Sequence, residues 1–293
     1  MILAAIDIGS NAARLLITET SVYKDGELDY NKLNLVRVPL RLGFDVFGTS
    51  VLSEDRIQAL IDTMIAFKHL MKIHKVQHVK IAATSALRDA QNREEVVARV
   101  EKESGLHINI ISGDEEANLL FESHAAERII NSNHHLYIDV GGGSTELTLF
   151  YKGEVEFKHS YNIGTIRFLT NTIDDAEWQT MKQQTKAIGR TYRNVDAIGS
   201  GGNINKLHSL TKTKEGKPLP LTTVKHWHEK LSPMTKQDRM HTFGLKDDRA
   251  DVIVPALLIY SCVMKWAGCE AIYVPKIGVA DALIRVLYNE VKD

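Results

Sequence analysis

Residues 137 to 149 read YIDVGGGSTELTL, three consecutive glycines between two stretches with the character of β-strands. Tyr137 to Val140 is a short apolar run carrying one carboxylate, Asp139. From Glu146 to Phe150 polar and apolar residues alternate, the period-2 pattern of a half-buried strand. The glycines therefore join strand to strand. A dinucleotide fingerprint would open a helix, and no helical pattern follows. Glycine lets a backbone approach a ligand closely, and successive N–H groups of such a turn form a concavity suited to phosphate oxygens. Ser144 and Thr145 add hydroxyls, while Asp139 and Glu146 are hard oxygen donors suited to Mg2+ bound beside a phosphate. The competing reading is a hairpin with solvated acids. Hairpins usually close with two residues such as Asn-Gly, and Gly141-Gly142-Gly143-Ser144-Thr145 between two acids is longer and more specific.

The pattern occurs twice. Ile6 to Ile17 lies over Ile138 to Leu149 without a gap, at an offset of 132 (139 − 7). Asp7 falls on Asp139, Gly9 on Gly141, and Leu15 and Ile17 on Leu147 and Leu149. Each copy leads through a turn to a further strand, Tyr23-Lys24-Asp25-Gly26 in the first and Tyr151-Lys152-Gly153 in the second. Two such copies suggest two related domains facing a cleft, each turn gripping one side of a phosphorylated ligand. The division expected is residues 1–125 and 126–293, with the helix from about 280 packing back on the first domain.

A chain of 293 residues suggests about two domains. With 44% hydrophobic and 25% charged residues it has the composition of a soluble globular protein. No apolar run is expected to reach the ~20 residues of a membrane span. The start, MILAAIDIGS, reads as a first strand and not a signal peptide. Cys262 and Cys269 fit no metal spacing and read as buried thiols of a helix. A cytoplasmic protein is the expectation. Net charge −1 recruits neither nucleic acid nor anionic membrane, so attraction for a polyanion must come from local clusters of cations.

Strands are expected near 2–8, 14–20, 34–41, 79–83 and 107–111, with a helix from Ser53 whose Ile57, Leu60, Ile61, Met64, Phe67 and Met71 share a core face. Asn92 with Glu95 and Ser112 with Glu115 have capping-box spacing. In the second half, strands are expected at 135–140, 146–151, 154–161, 196–199 and 271–274. Helices run from Asp174, after Gly202, from Arg249 to Trp266, and over 280–291. Residues 211–222 read as a surface loop. The sum is an α/β architecture, duplicated.

Among candidate catalytic groups, Glu115 has the local task of the capping box. Glu116 has none; it either orients and deprotonates a water, as hydrolysis requires, or simply favours the helix dipole. Arg88 follows a strand, and Arg14 follows the first small-residue turn. Each is a candidate phosphate clamp, although isolated arginines are usually surface residues. Gly201 and Gly202 form a third glycine turn, this one opening a helix, a setting that suits anions. The twelve histidines form no metal motif and read as solvated or core residues.

The stretches AIDIGSNAARLLI, ATSALRDA, IISGDEEANLLF, YIDVGGGSTELTL and IGSGGNINKL together resemble the motifs of the exopolyphosphatase and guanosine pentaphosphate phosphohydrolase family, in the actin, sugar-kinase and heat-shock-chaperone superfamily. The resemblance covers nearly the whole chain and implies two ribonuclease-H-like domains flanking an interdomain cleft. It implies release of terminal phosphate from inorganic polyphosphate, dependent on Mg2+ or Mn2+, with guanosine pentaphosphate as the alternative substrate. Glu116 matches the proposed general base. Arg14 matches a phosphate-contacting arginine, and Ser10, Asn11, Arg88, Gly141 to Thr145, Gly201 and Gly202 match phosphate-binding positions. Asp7, Asp139 and Glu146 match the metal-binding acids. Two departures bear on substrate preference: Asn203 stands where the family has threonine, and Gly278-Val279-Ala280-Asp281-Ala282 lacks an arginine and has Asp for Glu. A superfamily kinase and a nucleotide-binding scaffold without turnover are the rivals, and the Glu116 motif argues against the kinase. The reading calls for no nucleic-acid or membrane partner and leaves room for a homodimer.

Overall fold

The computed structural model describes residues 1–22, 28–122, 133–152, 154–275 and 277–292. The turns expected at 23–26 and at Gly153, and the boundary expected at 125, lie outside the described residues. Two compact units divide the chain, residues 1–123 with 278–293, and residues 124–277.

In the first unit β1 (Ile2–Ile8), β2 (Ala13–Val22) and β3 (Leu28–Val38) form an antiparallel meander, followed by α1 (Leu42–Thr49) and α2 (Glu54–Ile73). β4 (His78–Ala83), α3 (Ser85–Asp89), α4 (Arg93–Ser104), β5 (Asn109–Ile110) and α5 (Gly113–Glu122) complete the described part of this segment. The sheet order is β3-β2-β1-β4-β5, with β4 parallel to β1 and β5 parallel to β4. Leu3 to Ile8 are all buried, so β1 is covered on both faces. The helical stripe of α2 from Ile57 to Met71 is buried.

The second unit repeats this plan. β6 (His134–Val140), β7 (Thr145–Tyr151) and β8 (Glu154–Tyr161) form a meander, followed by α6 (Thr165–Leu169) and α7 (Asp175–Thr191). Then come β9 (Val195–Ser200), α8 (Gly202–Leu210), β10 (Leu219–Pro220), α9 (Leu221–Leu231), α10 (Lys236–Phe243), α11 (Asp247–Ala250), α12 (Ile253–Ala267) and β11 (Ala271–Tyr273). The order β10-β11-β9-β6-β7-β8 contains the mirror-written order of the first sheet with one antiparallel strand added. Even the irregularity repeats: the β2–β3 register shifts between Ile17 and Thr18, and the β7–β8 register between Leu149 and Phe150, 132 residues later. The last helix, α13 (Val279–Val291), belongs to the first unit, packing on β1, β2, β4 and α5.

Several expectations are corrected. β3 starts earlier than expected and ends before Pro39, which has no N–H to give a ladder. Helix α1, with Gly43 and Gly48 inside it, went unread because glycine weakens its helical signal. Asn92 does not cap α4. Its amide accepts from Leu52 N–H and donates to Leu52 carbonyl, both at 3.0 Å, a tertiary pairing that replaces the local cap. Residues 219–222, expected in a loop, form β10 and the start of α9. The helix expected from Arg249 to Trp266 breaks between Ala250 and Ile253, just ahead of Pro255. Cys269 lies beyond that helix, past Gly268, where burial pushes its thiol up to about 12. Residues 247–267 are long and apolar enough to cross a membrane, contrary to expectation, but 67% of their most apolar window is buried inside the protein. Ile253, Leu257, Tyr260 and Met264 of α12 pack with Leu136 and Ile138 of β6 in the unit's core.

Candidate functional site

Both glycine turns are built the same way. In the first, Gly9 N–H donates to Ala12 carbonyl at 3.1 Å; in the second, Gly141 N–H donates to Ser144 carbonyl at 2.9 Å. Each turn is then pinned through its carbonyls by the helix that follows the meander. The carbonyls of Ser10 and Asn11 accept from Gly43 and Arg41 N–H, and Arg41 adopts a left-handed φ of 56° as it does so. The carbonyls of Gly141 and Gly142 accept from Thr165 and Ile166 N–H at 3.0 and 2.8 Å, and Arg167 Nε donates to Gly143 carbonyl at 2.8 Å.

This pinning has a stereochemical consequence. Across a trans peptide the N–H of the next residue points opposite to the carbonyl. With three successive carbonyls of the second turn turned toward α6, the N–H groups of Gly142, Gly143 and Ser144 are turned away from it together. Successive N–H groups that face one way form a concavity that can receive an anion. Gly164, which caps α6, is pressed so close that a Cβ there would lie 2.3 Å from Gly142 carbonyl oxygen. The Thr145 hydroxyl donates to Ile163 carbonyl at 2.5 Å, so its hydrogen is committed inward, and the Ser10 hydroxyl lies 2.7 Å from that of Ser85.

The charges beside the two turns differ. Asp7 is paired in register with Arg14 across β1 and β2, and Arg14 Nη1 lies 2.5 Å from Asp7 Oδ2. Arg14 thus stands on a strand, in an ion pair with Asp7. At the equivalent register of the second unit, Asp139 on β6 faces Glu146 on β7. They are 8% and 2% exposed. Two carboxylates at neighbouring buried positions each disfavour the charge of the other. Ser160 hydroxyl donates to Glu146 Oε1 at 2.8 Å, and burial, with the charge of Asp139 second, drives the Tyr260 phenol well above its ordinary range. The donor set of Asp139 and Glu146 fits Mg2+ or Mn2+, ions held by one or two carboxylates and otherwise by phosphate and water. Among the described residues no group of three or more His, Cys, Asp or Glu side chains could hold a metal by itself. Asp7 is a poorer donor, since its charge is already balanced by Arg14.

Ser112 and Glu115 form the capping box: Ser112 N–H donates to Glu115 Oε2 at 2.6 Å and Glu115 N–H to Ser112 hydroxyl at 3.1 Å. Hydrogen bonds to the carboxyl from Ser112, its backbone N–H first and its hydroxyl second, hold the exposed Glu115 below its usual pKa. Glu116, one residue on, is buried. Arg88 on α3 donates from Nη1 to Ile111 carbonyl at 3.1 Å, which fastens it at the residue before that capping box. Gly201 has φ 106° and its Cβ position lies 3.1 Å from Asp139 Oδ1, so a side chain there would be strained and would crowd the carboxylate. Gly202 is covered by the Arg249 guanidinium, which donates to its carbonyl. Asn203 is buried in the first turn of α8. Asp281 accepts from Gly278 N–H and pairs with Lys32, a local role in starting α13.

Within the first unit the structure joins Asp7 to Arg14 and Arg88 to the start of α5; within the second it joins Asp139, Glu146, Gly201 and the 141–144 turn. Sequence reasoning missed Gly164, Arg167, Arg249 and Tyr260. A lone glycine after a strand was the one signal for Gly164. The others act across long sequence separations and left none.

The sequence pattern of the Ppx/GppA phosphatase family matches residues 22–285. The chain is 30% identical over 302 residues to a bifunctional 3-dehydroquinate synthase/phosphatase of Fusobacterium nucleatum, a match covering 92% of this chain and 44% of that protein. It therefore spans less than half of that relative's length. It is 23% identical over 315 residues to exopolyphosphatase 1 of Mycobacterium tuberculosis, covering 97% and 87%. The crystal structure of an exopolyphosphatase from Cytophaga hutchinsonii superposes with a TM-score of 0.85 at 24% identity over 99% of each chain, a likeness of fold.

Proposed function

The chain belongs to the Ppx/GppA phosphatase family, and from that premise we propose that it is an exopolyphosphatase, hydrolysing terminal orthophosphate from inorganic polyphosphate. The observation that carries the reading is the second turn, with three N–H groups turned one way beside a buried carboxylate pair. In this reading the N–H groups of Gly142, Gly143 and Ser144 bind the terminal phosphoryl oxygens, and Arg14 and Arg88 offset charge on the chain. A divalent cation held at Asp139 and Glu146 would supply further charge neutralisation at the phosphates. Glu116 orients the attacking water and takes its proton. Phosphoryl transfer asks mainly for such positioning and electrostatic stabilisation. Buried Glu116 suits the base better than exposed Glu115, whose carboxylate is engaged in capping.

The test is phosphate release from long polyphosphate, tripolyphosphate and guanosine pentaphosphate in parallel, with and without Mg2+ or Mn2+. Release from polyphosphate that stops in chelator is expected. Turnover of guanosine pentaphosphate alone would replace the substrate, and full activity in chelator would remove the cation from the reading.

A further inference from the structure

Among the side chains of α12 that have no exposure at all, Tyr260 alone carries a polar atom. A hydroxyl buried without a partner is costly, and packing alone would be served by phenylalanine. This hydroxyl has a partner: it donates to the carbonyl of Ser200, the last residue of β9. There the register sets Ser200 beside Asp139 of β6, while the pairing of β9 with β11 stops at Ile198. The Ser200 hydroxyl is engaged elsewhere, donating to Ile277 carbonyl at 3.2 Å. The phenol thus holds the main chain where the strand gives way to the Gly201 turn.

Gly201 shows what surrounds that point. A Cβ built on it would lie 3.1 Å from Asp139 Oδ1, 3.2 Å from Val140 carbonyl oxygen and 3.4 Å from the Tyr260 hydroxyl oxygen. Carboxylate, turn and phenol therefore converge on one spot. Glycine reaches φ 106° freely but has no side chain to keep it there, so the bond to the preceding carbonyl supplies the constraint. Burial first, and the charge of Asp139 second, keep the phenol protonated at neutral pH, with its hydrogen available to Ser200.

A bland explanation is a core tyrosine whose hydroxyl takes the nearest acceptor. Tyr161 fits that description. It is fully buried at the end of β8, and its hydroxyl donates to the side chain of Gln184 on α7. Tyr260 differs in what it holds: a strand end that abuts a carboxylate of the candidate site.

We propose that Tyr260 is a positioning residue for phosphate release, holding the Ser200 carbonyl so that the Gly201 turn stays against Asp139 and keeps that carboxylate in place. The effect on turnover rests on the exopolyphosphatase reading; the hold on the strand end does not.

The test compares Tyr260→Phe with Tyr161→Phe, each of which removes one buried hydroxyl and keeps the ring. Both should lower Tm by a similar few degrees. Amide hydrogen exchange over residues 139–142 and 199–203 should quicken about tenfold in Tyr260→Phe and stay within about twofold in Tyr161→Phe. Mn2+ affinity without substrate, followed by electron paramagnetic resonance, should weaken about tenfold in Tyr260→Phe alone. At saturating Mn2+, kcat on long polyphosphate and on tripolyphosphate should fall about tenfold in Tyr260→Phe and within about twofold in Tyr161→Phe. Unchanged exchange at the two strand ends overturns the proposal, as does equal loss of Mn2+ affinity and kcat in the two variants. If the wild type releases no phosphate from any polyphosphate, the exopolyphosphatase reading falls, while faster exchange confined to the two strand ends upholds the hold of Tyr260 on the turn.

Discussion

The turn at residues 9–12 and the turn at residues 141–144 share an offset, a closing hydrogen bond, a helix that pins their carbonyls and a β-bulge downstream. They differ in one charge. Where the first has Arg14 facing Asp7, the second has Glu146 facing Asp139. The first turn is electrically self-contained, its acid held by a guanidinium 2.5 Å away. The second sets two carboxylates opposite each other, 8% and 2% exposed, with the Ser160 hydroxyl donating to Glu146. One duplicated backbone thus carries two charge arrangements, and the side chain at a single register position separates them.

The largest effect is expected where the first unit contributes a group with no counterpart in the second. Glu116→Gln keeps the size of the side chain but cannot take a proton, so turnover should fall roughly 10²–10⁴-fold while substrate still binds. Glu115→Gln should be mild, because glutamine also serves in a capping box. Steady-state kinetics of the pair decides; equal losses would mean the base is assigned to the wrong carboxylate.

Next comes the charge difference itself. Asp139→Asn should lower activity by about 10–100-fold and raise the concentration of Mg2+ needed, because an amide is a poorer ligand for a hard ion. Asp7→Asn should leave the metal requirement unchanged and instead cost about 1 kcal/mol of stability, because the amide oxygen can still accept from Arg14 but no longer balances its charge. Metal titrations and urea unfolding of both variants check this; a shifted metal requirement in Asp7→Asn would erase the distinction between the turns.

The pinning of the carbonyls can be broken separately. Gly164→Ala puts a methyl 2.3 Å from Gly142 carbonyl oxygen and must displace the turn, at about 1–3 kcal/mol. Gly9→Ala meets only Ala12 carbonyl at 3.5 Å and should be accommodated. Thermal unfolding and kcat/KM of the two variants give the comparison, and equal behaviour would show that close packing does not shape the second turn.

The smallest effect is acid sensitivity confined to the second unit. His135 is fully buried on β6, stacked on Phe150 with ring centroids 5.3 Å apart, and burial holds its pKa below the usual value, Asp196 opposing. The folded state keeps it neutral while the unfolded chain takes up a proton below about pH 6.5. Its contribution is therefore fully present above that pH and is lost as pH falls toward the lower folded pKa, by at most about 1.4 kcal/mol per pH unit. His135→Phe should lose less stability between pH 7.5 and 5.5 than the wild type in urea titrations; identical losses would discharge His135 from this role.

Much of the fold was legible because its signals are local. The strand after each glycine turn, the apolar stripe of α2 and the Ser112–Glu115 cap depend on residues close in sequence, and the structure has them where the pattern puts them, although β7 is buried on both faces and not on one. Asn92 shows the limit: its spacing suits a cap, yet Leu52, forty residues away, takes both ends of its amide. Helices α9 and α10 were not read, and the span at 247–267 was recognisable as core only once α12 was packed on β6.

By itself the sequence determined the duplication, because an offset of 132 and an Asp-to-Gly spacing survive without coordinates, and it singled out Asp139, Glu146, Glu116 and the glycines as chemistry-bearing residues. Only the tertiary structure decided what each does with its charge. The pairing of Asp7 with Arg14, the burial of Asp139 against Glu146 and the turning of the Gly142–Ser144 N–H groups by α6 depend on strand register and on contacts between residues far apart in the chain. A sequence pattern names the donors and acceptors; packing fixes which of them meet and which way they point.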